Sequence, residues 1–314
     1  ARAAVGAGEA GYGPAAGALL STVFPASRRA TVLGAFQAAA PLGTLLGLVL
    51  GGIFAATWGW RAAFGVAAVP GLILALAFLL LRDYRTARIA RGVGAVGHLR
   101  TTLAELFRAG SGIAAIAGGA LQLMVVSTLY TWLPSHLNRS YHLAVDRAST
   151  LAAAVILAGM VGTVVFAYAA DRVASRDPRG RLRVPAVLAG ATLVLLSCGF
   201  GLIGPGPWQL TLVIAGGLTA TAAVGPVAAV VADVVDLGLR ARAIATASVA
   251  QNLLGLAVGP LVTGLLADRY GLPTALAAMP IACGAAAVVF WYGSSYYVSD
   301  CVAIASPTTT GGES

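Results

Sequence analysis

The chain has 314 residues, 59% of them hydrophobic and only 10% charged, with a mean hydropathy of +0.87. An ordinary globular domain is about 25% charged, so the composition excludes a soluble domain, a disordered chain and a disulfide scaffold, and leaves a polytopic helical membrane protein. The formal charge of +9 comes from 20 Arg and no Lys against 11 acidic residues, an excess that in such a chain reflects loop topology rather than a nucleic-acid partner.

Charge-poor runs predict nine spans, at residues 3–24, 33–56, 62–81, 110–134, 149–169, 184–204, 208–232, 243–267 and 274–297. Each is long enough to cross about 30 Å of hydrocarbon. The run from Val184 to Ala232 holds no charge and is split at Gly204, Pro205, Gly206 and Pro207, where a helix cannot continue. Cys198 and Cys283 fall inside apolar runs and Cys301 in the tail, which marks them as small apolar fillers.

Arginine placement sets the orientation. The connections after spans 1, 3, 5 and 7 hold 15 arginines and those on the other side hold 4. By the positive-inside rule the Arg-rich side is cytoplasmic, the carboxyl terminus ends there, and the chain sits in the cell (inner) membrane. Within the long basic connection, Leu99, Leu103, Leu106 and Phe107 share one helical face, the pattern of a helix lying on the membrane surface. The first residues read as the middle of a span, so three helices are expected to precede Ala1.

A shift of 212 residues aligns Pro14 with Pro226, Arg28 with Arg240, Gly43 with Gly255, Gly47 with Gly259, Gly52 with Gly264 and Gly59 with Gly271. Span 2 thus repeats as span 8, a period of six. Residues 1–81 are then the last three helices of one six-helix bundle, 82–109 a cytoplasmic inter-bundle loop, 110–297 a complete second bundle and 298–314 a cytoplasmic tail. Paired six-helix repeats with a midplane site are an architecture for alternating access.

Few polar groups stand at membrane depth. Span 1 carries Arg2 and Glu9, seven residues apart on nearly the same helical face. Intramembrane charges normally face a cavity and find partners, which points to proton coupling or substrate binding; a structural ion pair is the alternative. Gln37, Gln122, Tyr130, Trp132, Tyr168, Gln251 and Asn252 are cavity candidates, each equally able to make one interhelical hydrogen bond. Gly34, Gly43, Gly47, Gly51 and Gly52 in span 2, and Gly255, Gly259, Pro260 and Gly264 in span 8, mark faces that admit close helix packing. Asp233 and Asp236 are expected to face Arg240 and Arg242; a metal-dependent transferase is disfavoured because no second acidic motif accompanies them. His98, His136 and His142 lack zinc-ligand spacing, so no metal and no cofactor are expected.

These motifs resemble the major facilitator superfamily. The span 2 glycines are similar to its fifth-helix motif, with Leu48 where that pattern has Pro, and Pro260 holds the matching place in the repeat copy. Arg2, Gly6 and Gly8 resemble the fourth-helix motif, and Gly8, Glu9 and Ala10 look like Spinster-like members, as do Gln251, Asn252, Asp268, Trp132 and Pro134. Asp171, Arg172 and Arg176 resemble the family's cytoplasmic Asp-Arg motif, with Ala167 where a leading Gly is usual; in the family this Asp engages the end of a neighbouring helix.

The resemblance implies an all-α, two-bundle fold with nine of twelve transmembrane helices present. It implies a monomeric, non-enzymatic, proton-coupled secondary transporter of a small organic or amphiphilic solute. A facilitative uniporter and a non-transporting remnant or accessory protein are the alternatives.

Overall fold

In hydrocarbon no water is at hand for backbone N–H and C=O groups, so each apolar run must close its hydrogen bonds within a helix. The computed structural model describes residues 2–78, 80 and 95–305. Its helices are α1 (Arg2–Val23), α2 (Arg29–Trp58), α3 (Trp60–Phe78), α4 (Ala95–Arg108), α5 (Gly110–Ser140), α6 (Val145–Ala174) and α7 (Gly180–Gly201). These are followed by α8 (Pro207–Ala220), α9 (Val224–Asp233), α10 (Arg240–Gln251), α11 (Val258–Tyr270), α12 (Leu272–Ala278), α13 (Ile281–Gly293) and α14 (Tyr297–Ala305). Among the described residues there is no strand, and seven stretches are long and apolar enough to cross a membrane. The two remaining predicted spans coincide with α1 and α3.

Three predicted spans are interrupted, each for a local reason. Span 7 is broken into α8 and α9 at Thr221, Ala222 and Ala223. Pro226 has no N–H to offer Ala222, while the Thr221 hydroxyl donates across to Gly159 O at 2.6 Å. Span 9 breaks at Met279 and Pro280 into α12 and α13, again beside a proline. Span 8 runs from Arg240 to Tyr270 with a π-helical segment, Asn252–Ala257, between α10 and α11.

The helices from α5 to α13 pack around one core that includes Leu129, Leu133, Leu196, Val213, Val230 and Phe290, each at most 2% exposed. A second, smaller core of Ala30, Leu33, Ala167 and Ala229 seats α2 against α6 and α9. There Gly34 lies against Ala167, Thr163 O and the Cα of Gly225, so any side chain at either glycine would collide. α1 packs on α10, and α3 on α2, with Leu72, Ile73, Leu74 and Leu76 of α3 exposed to the surroundings.

The 212-residue repeat reappears in backbone geometry. Gly59 ends α2 at φ +83° and Gly271 ends α11 at φ +85°, the left-handed turn that glycine enters without strain. The basic connection does hold a helix, α4, although its Leu106 and Thr102 are buried, the helix packing on α5 and α10, while Phe107 stays exposed.

At the end of the molecule away from most arginines, Tyr141 fastens the hairpin between α7 and α8. Its hydroxyl donates to Gln209 Oε1 at 2.7 Å and accepts from Gly206 N, while Gln209 Nε2 donates to Gly199 O and Ile203 O, both at 2.9 Å.

Candidate functional site: a closed Arg-rich end and a neutral cavity

The site has two layers. The first is at the Arg-rich end, where α1 and α2 meet α6, α7, α9 and α14. Asp171, in the last turns of α6, caps the start of α2 from across the molecule. Asp171 Oδ2 accepts from the Thr31 N–H and the Thr31 hydroxyl, both at 2.7 Å, and Oδ1 accepts from Ala30 N at 3.3 Å. A carboxylate there satisfies orphan N–H groups and meets the positive end of the helix dipole.

Arg181, from the first turn of α7, reaches Asp171 Oδ1 through Nη2 at 3.2 Å and Asp233 Oδ2 through Nη1. Its Nη2 also donates to Ala26 O, ahead of α2. Asp233, at the end of α9, accepts in addition from Arg29 Nη1 and from the Tyr297 hydroxyl, the latter at 2.7 Å. All four charged side chains are at most 10% exposed. Burial pushes the Tyr297 hydroxyl up to about 12, so it keeps its proton and donates to Asp233 throughout the neutral range. Alongside, Arg240 Nη1 donates to Ser21 O at 3.1 Å and so ties α10 to α1. Removing one member of such a network strands a buried charge and costs about 3–5 kcal/mol.

Deeper along the helices lies the second layer, a cavity of about 260 Å³ between α1 and α2 on one side and α5, α9 and α10 on the other. Gln37, Gln122 and Gln251 stand about 12, 18 and 17 Å along their helices from the Arg-rich ends, at 1.5 Å per residue. The polar part of the described wall is Gln37, Gln122, Ser248, Gln251 and Asn252, all neutral; the remainder is aliphatic, glycine or Phe36.

Gln122 is 2% exposed. Its amide Nε2 donates to Thr219 O at the break before α9 (3.3 Å), while its Oε1 is buried with no hydrogen-bond partner among the described residues. Gly119 leaves the room that the Gln251 amide occupies, since a Cβ there would come within 2.7 Å of Nε2. Asn252 opens the π segment, a distortion that turns its side chain relative to a regular helix.

The structure therefore gathers Gln37, Gln122, Gln251 and Asn252, four of the seven cavity candidates, at one place. Tyr130 and Trp132 stand elsewhere: the Tyr130 hydroxyl fills the space over Gly159, and Trp132 donates from Nε1 to Pro260 O at 3.1 Å while covering Gly264. Tyr168 is exposed on the flank of α6. The side chains of Arg2 and Glu9 lie outside the described residues, as do the surroundings of Gly51 and Gly52.

The glycines divide. Gly255 and Gly259 abut the α5 carbonyls of Ala120 and Met124, whereas no described atom lies within 4 Å of a Cβ placed at Gly43 or Gly47. The expected facing of Asp233 toward Arg240 and Arg242 is corrected: its partners are Arg29 and Arg181. Arg172 and Arg176 are exposed, and the cation at Asp171 is Arg181 instead. From the sequence, Arg29 and Arg181 stood only as loop residues and Tyr297 only as the last residue of a span, because partners up to 204 residues apart leave no spacing signal.

Two groups of membrane-spanning helices closed over a cavity at one end define the class: a polytopic, two-bundle protein of the transporter type. The model of the Major Facilitator Superfamily matches residues 1–256, and the chain belongs to that family. It is similar to an MFS-type efflux pump of Mycolicibacterium smegmatis, 32% identical over 198 residues, covering 62% of this chain and 45% of the relative. It is also similar to human protein spinster homolog 3, 27% identical over 290 residues, covering 85% of this chain and 56% of the relative. The chain thus spans about half the length of these curated relatives. Among solved structures, the Escherichia coli fucose:proton symporter superposes with a TM-score of 0.64 at 14% identity, over 90% of this chain and 72% of the other, a likeness of fold.

Proposed function

We propose that the protein is a secondary transporter that moves a small organic or amphiphilic solute by alternating access, with the cavity as the solute site and the Asp171–Arg181–Asp233–Arg29 network as the cytoplasmic gate. The observation that carries this reading is the stacking of the two layers. A cavity of about 260 Å³ near mid-depth lies below a network at the Arg-rich end whose side chains come from both groups of helices, and we read that network as its seal. Such a seal has to break for solute to pass, and a network of several charged hydrogen bonds gives a defined closed state rather than a gradual one.

In this reading the Arg-rich end and the carboxyl terminus face the cytoplasm, residues 82–109 link the two bundles, and the working unit is a monomer in the cell membrane. Arg2 and Glu9 on α1 couple the cycle to protons, Glu9 carrying the proton and Arg2 attracting an anionic group. The wall's mixture of amides and aliphatic side chains supports a solute with both polar and apolar faces. A resemblance to a spinster homolog and to a fucose:proton symporter supports the same class.

The test is flux by the full-length protein in proteoliposomes with an imposed proton gradient. Glu9→Gln is expected to abolish gradient-driven flux while leaving solute binding and folding intact. A second reading, facilitated diffusion, is favoured by the lack of any titratable group among the described cavity residues. Flux indifferent to the gradient, in the wild type and in Glu9→Gln alike, would establish it.

A further inference from the structure

Among the described residues, the pairing of charges at the Arg-rich end leaves Arg28 and Arg172 without a partner on either side of one cleft. A cleft of about 510 Å³ lies outside the buried network, between the connection from α1 to α2 and the last turns of α6. It is lined by Phe24, Ser27, Arg28, Thr31, Val32 and Tyr168, and by Asp171, Arg172 and Ser175. Asp171 forms its floor, but both of that carboxylate's oxygens are already taken by Ala30, Thr31 and Arg181.

The guanidiniums of Arg28 and Arg172, one from each side of the cleft, are exposed, and among the described residues neither has a hydrogen-bond or ion-pair partner. Ser27 adds a hydroxyl to the lining, whereas the Ser175 hydroxyl donates to Arg172 O at 2.7 Å. Toward the lipid, Phe24 is 37% exposed and Tyr168 56% exposed, so one wall is apolar and aromatic. Two unpaired cations with a hydroxyl beside an aromatic wall, at the level where the spans end, match a ligand carrying a phosphate at one end and acyl chains at the other.

We propose that this cleft binds the headgroup of an anionic phospholipid, with Arg28 and Arg172 sharing its phosphate and Phe24 and Tyr168 flanking its glycerol and upper chains. The site does not depend on the transport reading. Because Arg28 belongs to the connection before α2 and Arg172 to α6, a bound lipid spans the seam between the two helix groups and favours the closed Arg-rich end.

The experiment is native mass spectrometry of the full-length protein in detergent, titrated with phosphatidylglycerol or phosphatidylcholine. The wild type is expected to retain phosphatidylglycerol in preference. Arg28→Ala with Arg172→Ala should weaken that binding about thirtyfold, roughly fivefold per arginine at the membrane surface, with phosphatidylcholine unaffected and Arg139→Ala with Arg147→Ala, at the other end, unchanged. Arg28→Lys with Arg172→Lys should keep most of the preference, and serves if the alanine variant does not fold. Equal retention of the two lipids by the wild type overturns the proposal, as does undiminished phosphatidylglycerol binding in a folded double alanine variant. Inorganic phosphate binding as tightly as the lipid also overturns it, by making the cleft a site for the free ion.

Discussion

Asp233 illustrates how one carboxylate joins distant parts of a chain. It takes Arg29 from the start of α2, Arg181 from α7 and the Tyr297 hydroxyl from α14, in surroundings that leave it 7% exposed. Asp233→Asn therefore strands two guanidiniums with only Asp171 left to share. Thermal melts in detergent are expected to show a loss of about 3–5 kcal/mol, the cost of a buried unpaired charge. Tyr297→Phe, which removes the hydrogen bond donated to Asp233 Oδ2 and the one accepted from Arg181 Nη1 at 3.1 Å, should cost at least about 1.5–3 kcal/mol. A cysteine introduced at Ser248, in the cavity wall, should react faster with a reagent added from the Arg-rich side in Asp233→Asn than in the wild-type background; equal rates would separate the network from closure.

Among the helices, glycine position decides whether a side chain is tolerated. At Gly259 a new Cβ meets Met124 O and the Ser127 hydroxyl, so Gly259→Ala must push α11 away from α5. Such overpacking is expected to cost about 1–3 kcal/mol. Gly43→Ala meets nothing described within 4 Å and should be neutral or stabilise the helix by up to about 1 kcal/mol. Parallel melting curves of the two variants check the contrast, and equal losses would sink it.

The contact of α4 with α10 carries a pH dependence. Glu105 is pushed above its ordinary value of 4.5 by burial first and then by the charge of Asp236, and its Oε2 is buried with no hydrogen-bond partner among the described residues. Because the folded state holds this proton more tightly than the unfolded one, the contact is fully supported below 4.5 and loses support as pH rises through the raised value. Glu105→Gln should raise the hydrogen-exchange protection factors of α4 at neutral pH and make them insensitive to pH across that interval. An unchanged pH profile would count against the argument.

At the scale of the whole molecule, α2 is packed on α6 and α9 through the small residues Ala30, Ala167 and Ala229, and in the proposed cycle it is the element on which closure turns. Ala30→Cys with Ala229→Cys, in a background with Cys198, Cys283 and Cys301 replaced by Ser, should form a disulfide under mild oxidation. Flux is expected to stop and to return on reduction. Flux that persists with the crosslink formed would mean that this seam does not open during transport.

The helical class and the span positions were legible in the sequence, because hydrocarbon forces every apolar run into a helix, and so was the pairing of Gly59 with Gly271, because glycine alone enters without strain the left-handed turn that both adopt. Gln37, Gln122, Gln251 and Asn252 were legible as polar exceptions at membrane depth, though not as neighbours. The partners of Asp171 and Asp233 were not legible, nor was the lack of any described atom against Gly43 and Gly47, nor the use of Tyr130 and Trp132 as helix fasteners. A helix period says which residues share a face but not which helix that face meets. Local chemistry fixed the helices by themselves, and only tertiary packing decided which charges were paired, which glycines were contacts and which amides were left facing a cavity.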